Sequence, residues 1–122
     1  MSDLVITQDV RDSAVVVAVA GDIDTATVDS LVQHLDAAMS AASAPSRKLL
    51  VVDLGGVTYF GSAGLNAVLG CYSAGMTNGV AVRLVANAAE VLRPLQVTQL
   101  DTVISPYSSL PEALADSSDG AG

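Results

Sequence analysis

Two runs of mainly apolar residues, AVVVAVA at 14–20 and KLLVVDL at 48–54, limit what this chain can fold into. Neither run alternates with polar residues, so each predicts a strand that is covered on both faces. Strands of this kind lie at the centre of a sheet with helices packed against it. At 122 residues the chain has room for one such domain, and no repeat or linker divides it.

The elements predicted around these runs alternate in type. The segment 4–8 pairs with 14–20 as a hairpin through the polar turn DVRDS. Further strands are predicted at 80–85 and 101–104, and helices at 28–39, 62–74, 88–97 and 110–116. Gly55 and Gly56 predict a break after Asp53, and MTNG at 76–79 predicts a turn. Pro94 predicts that its helix is kinked or ends early. Thr25 or Thr27 is predicted to cap the first helix.

The predicted fold is α/β. An N-terminal hairpin leads into a mixed, mostly parallel sheet of four to five strands with about four helices. One domain is predicted over residues 1–116, followed by a disordered tail at 117–122.

Composition excludes several classes of function. The formal net charge is −8 with only five Lys and Arg, which argues against direct binding of nucleic acid. Cys71 is the single cysteine, so no intrachain disulfide or cysteine-based zinc site is expected, and it is predicted to be buried or semi-buried on the second helix and inert. No signal peptide and no run of 18 apolar residues is found. We therefore expect a cytoplasmic protein without a membrane partner.

The longest unusual segment lies between Asp53 and Arg83, where 29 residues carry no Asp, Glu, Lys, Arg or His. The helix predicted inside it has an apolar stripe and an opposite side of small or neutral residues. The stripe comprises Leu65, Val68, Leu69 and Tyr72, and the other side Ala63, Asn66, Ala67, Gly70 and Ala74. A solvated helix normally carries charges on its outer side. Burial on both sides would explain their absence, but a surface that docks a partner explains it better.

Ser62 stands at the start of this helix, in the stretch VTYFGSAGLNAVLG at 57–70. Local chemistry favours a helix cap, and phosphorylation is the second interpretation, because a helix N-terminus accommodates negative charge. A hydrolase nucleophile is excluded, since Phe60 occupies the first glycine position of G-x-S-x-G. His34, the single histidine, precedes the serine and is predicted to be an ordinary boundary residue. No nucleotide-binding loop is present, so neither an enzyme nor a cofactor is expected.

The order of these segments resembles the STAS domain of bacterial anti-sigma-factor antagonists over residues 4–116. The resemblance is carried by GDID at 21–24 and by LLVVDLGGVTYFGSAGLNAVLG at 49–70. It implies that a serine at the start of the second helix is phosphorylated by a partner anti-sigma factor, which is itself a serine kinase. The unphosphorylated antagonist binds that factor and frees a sigma factor, and a PP2C-type phosphatase restores this form.

By position in the resemblance, Ser62 falls on the phosphorylated residue, and Asp22 and Asp24 fall on the acidic loop beside it. Gly64, Leu65, Asp53 and Val57 also match the pattern. Gly61 stands where the family usually has Asp, and Ala63 where it usually has a second Ser or Thr. The predicted partner-binding residues are Asp22, Asp24, Gly61, Ser62, Ala63, Asn66 and Ala67.

Other interpretations stay open from the sequence. Within the same fold the chain could be a non-switching subunit of a larger complex, such as a stressosome-like scaffold or a lipid-transport assembly. It could also be a small module that binds an anion or nucleotide over the helix start. Asp22 and Asp24 could be metal ligands joined by Asp53, although the favoured interpretation has no metal. The uncharged face would also allow weak homo-oligomerisation.

Overall fold

Four strands and four α-helices make up residues 4–115, the part of the chain that the computed structural model describes. The strands are β1 (Val5–Val10), β2 (Val15–Ile23), β3 (Leu49–Phe60) and β4 (Ala81–Val85). The helices are α1 (Val28–Ala42), α2 (Ser62–Asn78), α3 (Ala89–Val97) and α4 (Leu110–Ala115), with a short 3-10 helix at Leu100–Thr102. Asp116 and the predicted tail at 117–122 lie outside the described residues.

The sheet has the strand order β1-β2-β3-β4. β1 and β2 form an antiparallel hairpin, and β2, β3 and β4 are parallel to one another. The predicted hairpin, the mostly parallel sheet and the number of helices are thus confirmed. None of the helices between residues 4 and 115 is long and apolar enough to span a bilayer.

Over their first halves, which contain the two apolar runs, β2 and β3 are covered by helices on both faces, as their sequences predict. Alternate residues of β2 and β3 pack against α1, α2 and α3 on one face: Val15, Val17, Val19, Leu50, Val52 and Leu54. On the other face Val16 and Val51 pack with Val85 against Ala113 of α4. Because side chains of a strand alternate between faces, both sets must be apolar.

A buried arginine holds α4 against the sheet. The Arg83 side chain is only 6% exposed, and its Nη1 donates a hydrogen bond to the carbonyl oxygen of Ala113 at 2.5 Å. Its guanidinium carbon lies 5.9 Å from the centre of the Tyr107 ring, within cation–π range. The carbonyls at a helix C-terminus carry partial negative charge, so a cation beneath α4 is stabilising.

The predicted break of β3 at Gly55 and Gly56 is wrong, because the strand continues to Phe60. The two glycines lie at an irregularity where β3 advances from Asp53 to Gly56 while β2 advances only from Ala18 to Ala20. A Cβ at position 56 would lie 2.8 Å from the Cβ of Ala20, so glycine permits the close approach of the two strands. The glycine pair therefore marks a bulge inside one long strand.

Further boundary predictions are corrected by local geometry. The strand predicted at 101–104 is absent, since Thr102 ends the 3-10 helix and the Ile104 N–H donates to the carbonyl of Leu100. The turn predicted at 76–79 is shorter than expected, because α2 continues to Asn78. Only Gly79 leaves the helix, in the left-handed conformation with φ 69°. The third helix reaches Val97 with Pro94 inside it, so the end at 97 is confirmed and an early end at Pro94 is wrong.

The side of helix α2 that packs on the sheet is rotated from the predicted stripe, of which Val68 is buried and Leu65 and Tyr72 are partly buried against the core. Its buried residues are Gly64, Val68, Cys71 and Gly75, whereas Leu69 is 41% exposed. The two glycines bring the helix backbone close to the sheet. A Cβ at position 64 would lie 2.8 Å from the Phe60 ring, and one at position 75 would lie 2.6 Å from the carbonyl oxygen of Val80. The apolar residues at 65 and 72 are consequently pushed to the flanks.

This packing predicts opposite effects for two glycine-to-alanine substitutions in α2. Gly75→Ala should lower the free energy of unfolding by about 1–3 kcal/mol, because the methyl group meets a backbone carbonyl that cannot rotate away. Gly70→Ala is the matched control, since a Cβ there meets nothing within 4 Å. It should raise stability by about 0.5–1 kcal/mol through helix propensity. Urea denaturation measures both, and changes of the same sign would contradict the packing.

Candidate partner-binding site

A single residue, Gly61, joins the end of β3 to the start of α2. Its N–H donates a hydrogen bond to the carbonyl oxygen of Ile23 at 3.2 Å, which ties this junction to the end of β2. A Cβ at position 61 would lie 3.0 Å from the ring of Tyr59, so glycine also leaves room for that exposed ring. The junction and the loop after β2 therefore lie side by side.

Ser62 is the first residue of α2, and its side chain is exposed. The N-cap position belongs to Gly61, with no hydrogen bond from a side chain to the helix start. The cap predicted for Ser62 is therefore wrong, because the serine lies one residue too far into the helix to act as one. Its hydroxyl makes no hydrogen bond with any residue between 4 and 115. This leaves the oxygen accessible for reaction.

Asp22 was predicted to lie in a loop, but β2 continues to Ile23, so Asp22 is part of the strand and pairs with Tyr59 of β3. Its Oδ1 accepts a hydrogen bond from Oγ1 of Thr58 at 2.5 Å. Thr58 lies near the end of β3, two residues before Phe60. At this point the pairing of β3 with β2 has a second irregularity, between Gly21 and Asp22. The carboxylate thereby fixes the end of β3 relative to the end of β2.

Asp24 closes the loop into a tight turn before α1. Its Oδ1 accepts hydrogen bonds from the N–H groups of Ala26 at 2.9 Å and Thr27 at 3.1 Å. Thr27 is the N-cap residue, one of the two predicted candidates, but its hydroxyl donates instead to the carbonyl oxygen of Asp22 at 2.8 Å. Among the described residues, no group of three His, Cys, Asp or Glu is placed to hold a metal ion. Both carboxylates shape the loop beside Ser62.

The outer side of α2 forms an exposed strip without charge. It follows a helical repeat and comprises Ser62, Asn66, Leu69, Ser73 and Met76. Met76 is 70% exposed, and the strip is about 21 Å long at 1.5 Å per residue. Of the residues predicted to face outward, Asn66 and Gly70 are exposed, whereas Ala63, Ala67 and Ala74 are half-buried on the flanks.

A groove that the sequence did not indicate adjoins the Ser62 end of this strip. Its volume is about 690 Å³, and it lies between the β3–α2 junction and α3. The residues that line it are 58–62, Leu65, Ala89, Glu90, Arg93, Pro94, Val97 and Thr98. Thirty-one positions separate Ser62 from Arg93, so no local pattern in the sequence could relate them. We call this the α2–α3 groove.

Cys71 and His34, the single cysteine and the single histidine, both lie away from the Ser62 junction in the sequence. Cys71 is buried at a cavity of about 250 Å³ between α1 and α2, where Asp36 also lies. Burial, and secondarily the negative charge of Asp36, raises the pKa of the Cys71 thiol to about 11. His34 lies on α1 at the boundary between the core and the solvent, and its Nδ1 is 2.8 Å from the carbonyl oxygen of Ser30. The predicted burial of Cys71 and the boundary position of His34 are confirmed.

The chain belongs to the STAS domain family, whose sequence pattern matches residues 5–113. The fold is similar to the crystal structure of an anti-sigma factor antagonist from Mycobacterium paratuberculosis. That similarity has a TM-score of 0.82, with 28% sequence identity over 92% of each chain. The predicted family is therefore confirmed, and the fold is that of the anti-sigma factor antagonists.

The fold is also similar to two structures of the anti-sigma factor antagonist SpoIIAA. The unphosphorylated form aligns with a TM-score of 0.71 and 16% identity, covering 90% of this chain and 93% of that one. The phosphorylated form of the Bacillus protein aligns with a TM-score of 0.67 and 15% identity, covering 90% and 96%. At these identities the likeness concerns the fold.

The raised pKa of Cys71 predicts slow alkylation of the folded protein. At pH 8 iodoacetamide should modify the native chain roughly 100-fold or more slowly than the urea-unfolded chain, because the thiolate is the reactive form. The folded state holds the thiol proton more tightly than the unfolded state. The contribution of this group to stability is therefore intact below about pH 8.5 and is lost as pH rises through about 11.

Asp36→Asn is the matched control for this alkylation experiment. It removes the smaller of the two causes, so the native reaction should become modestly faster without approaching the unfolded rate. Equal rates for native and unfolded wild-type protein at pH 8 would contradict the buried position of the thiol.

Proposed function

We propose that this chain is an anti-sigma-factor antagonist that binds an anti-sigma factor of the serine kinase type and so releases a sigma factor. In this proposal phosphorylation of Ser62 by that kinase abolishes binding, and a PP2C-type phosphatase restores it. Membership of the STAS family and the similarity to antagonists support the general role. The switch itself is supported by one observation in this chain, the exposed and unbonded Ser62 hydroxyl at one end of an uncharged strip.

The docking surface in this proposal consists of the α2 start and the loop after β2. Gly61, Ala63 and Ala67 present little side-chain bulk, and the exposed Asn66 offers hydrogen bonds without charge. The centres of protein interfaces are depleted in charged residues, while their rims are polar. Asp22 at the end of β2 and Asp24 in the loop after it supply such a rim, and Ile23 between them is joined to Gly61 by a hydrogen bond.

The chemistry required of Ser62 is modest. The kinase transfers the γ-phosphoryl group of ATP to Ser62 Oγ, so that an O–P bond forms, the bond to the β-phosphate oxygen breaks and ADP leaves. The hydroxyl proton passes to a base on the kinase. The phosphatase uses water to cleave the new O–P bond, which releases inorganic phosphate and regenerates the hydroxyl. The chain itself is the substrate in both reactions.

Electrostatics makes this modification an effective switch. Phosphorylation adds a charge of about −1.5 to −2 at pH 7 at one end of the uncharged strip. Docking would then have to remove this charge from water, and the carboxylates of Asp22 and Asp24 add repulsion beside it. A loss of about 3 kcal/mol weakens binding more than 100-fold, and no change of fold is needed.

Three substitutions of Ser62 test the proposal. Ser62→Asp should weaken binding to the anti-sigma factor by about 10-fold or more, since it places one negative charge on the docking surface. Ser62→Asn has the same shape without the charge, and Ser62→Ala removes the hydroxyl. Both neutral variants should bind within a few-fold of the wild-type chain.

The measurement is a calorimetric titration of each variant into each purified anti-sigma factor kinase of the source organism. Circular dichroism and thermal unfolding verify that the variants remain folded. Equal affinity of the Asp and Asn variants for the factor that binds the wild-type chain would show that charge at Ser62 does not control the complex. The chain would then be a constitutive binder, and the switch would be rejected.

A further inference from the structure

Four of the five cationic side chains of this protein are engaged within the fold. The four are Arg11, Arg47, Lys48 and Arg83, which donate hydrogen bonds to Asp9, Arg11, Asn78 and Ala113 respectively. Arg93 differs from them, because it makes no hydrogen bond or ion pair with any residue from 4 to 115. Its side chain is exposed on α3. An arginine in this condition is available to bind an anion.

Arg93 and Ser62 line the same α2–α3 groove. No other Lys or Arg is among the lining residues, and Glu90 is the one acid, three residues before Arg93 on the same helix. The remaining lining is largely apolar, with Phe60, Leu65 and Val97 contributing to it. An anion that forms at the Ser62 hydroxyl would therefore share a space with a single unpaired cation.

A phosphate on Ser62 would otherwise meet mainly negative charge. Asp22 and Asp24 lie on either side of Ile23 at the adjoining end of β2, Glu90 lies in the groove, and the whole chain carries −8. The α2 start offers backbone N–H groups, but these are equally present whatever residue occupies position 93. The planar guanidinium can donate two parallel hydrogen bonds to phosphate oxygens, which suits it to this role better than an ammonium group.

We propose that Arg93 binds the phosphate group carried by phosphorylated Ser62, within the α2–α3 groove. This inference rests on the proposed function, in which Ser62 is the modified residue. The bound pair lies in the groove beside the Ser62 end of the docking surface. Phosphorylation then acts twice on the partner, by placing charge at Ser62 and by drawing the α3 arginine across the groove beside it.

The test uses phosphoserine inserted at position 62 during translation, so that no kinase is needed. A ³¹P NMR titration gives the second pKa of the phosphate, which is about 6 for an exposed phosphoserine. A neighbouring cation favours the dianion, so Arg93→Gln should raise this pKa by about 0.5–1 unit relative to the phosphorylated wild-type chain. Arg93→Lys should give an intermediate value, because it keeps the charge and loses the paired donors.

Arg11→Gln is the control for the loss of one positive charge. Arg11 lies in the turn before β2, whereas Ile23 beside the Ser62 junction ends that nine-residue strand, so the two are separated by most of the sheet. This variant should leave the phosphate pKa within about 0.1 unit of the wild-type value, given screening over such a distance.

An unchanged phosphate pKa in Arg93→Gln would overturn the inference. The same conclusion follows if this variant weakens binding of the unphosphorylated chain while the pKa stays constant, since Arg93 would then pair with a carboxylate of the partner. Because phosphoserine is installed directly, the titration is independent of the Ser62→Asp and Ser62→Asn comparison. A failure of the arginine contact and a failure of the switch are therefore separate results.

Discussion

The parallel pair of strands β2 and β3 is the constraint on which the rest of this structure depends. Each is buried on both faces over about its first half, so a polar group that acts on another molecule can lie only toward its carboxyl end. Functional groups are confined to the ends of these strands. At the carboxyl ends, the hydrogen bond from the Gly61 N–H to the Ile23 carbonyl oxygen places the acidic loop beside the start of α2. The Ser62 site lies at this meeting point.

The position of α2 on the sheet determines which residues the site exposes. Gly64 and Gly75 have no side chain to hold the helix away, so its backbone approaches the sheet closely and Val68 fills the space between them. The opposite side of the helix is then solvent-exposed along its whole length, although it carries Leu69 and Met76 and no charge. In a protein with a net charge of −8, this strip differs in character from the rest of the surface.

The elements that could be predicted are those with a strong pattern. The two central strands followed from continuous apolar runs, and the hairpin followed from a polar turn between strands. Ser62 could be placed at a helix start because Gly61 precedes it and helical spacing follows. The bulge at Gly55 and Gly56 was misread because a glycine pair in isolation is equally typical of a break, and only contact with Ala20 distinguishes the two.

Other parts of the site could not be predicted because they depend on packing. Helix α2 is rich in alanine and glycine, so its amphipathic pattern is weak and the predicted stripe was rotated toward Leu69. The hydrogen bonds of Asp22 and Asp24 depend on how the loop closes between β2 and α1. Arg93 lines the same groove as Ser62 only because α3, which is distant in the sequence, packs beside the β3–α2 junction.

The most direct test of the central claim is the intact mass of this protein purified from its native host under several growth conditions. Fragmentation across Val57 to Tyr72 would locate any modification, and Ala63 removes a neighbouring hydroxyl that could confuse the assignment. Our account predicts an increment of one phosphate, mapped to Ser62, in at least one growth state. An unmodified chain in every state, or a phosphate mapped only to another residue, would contradict it.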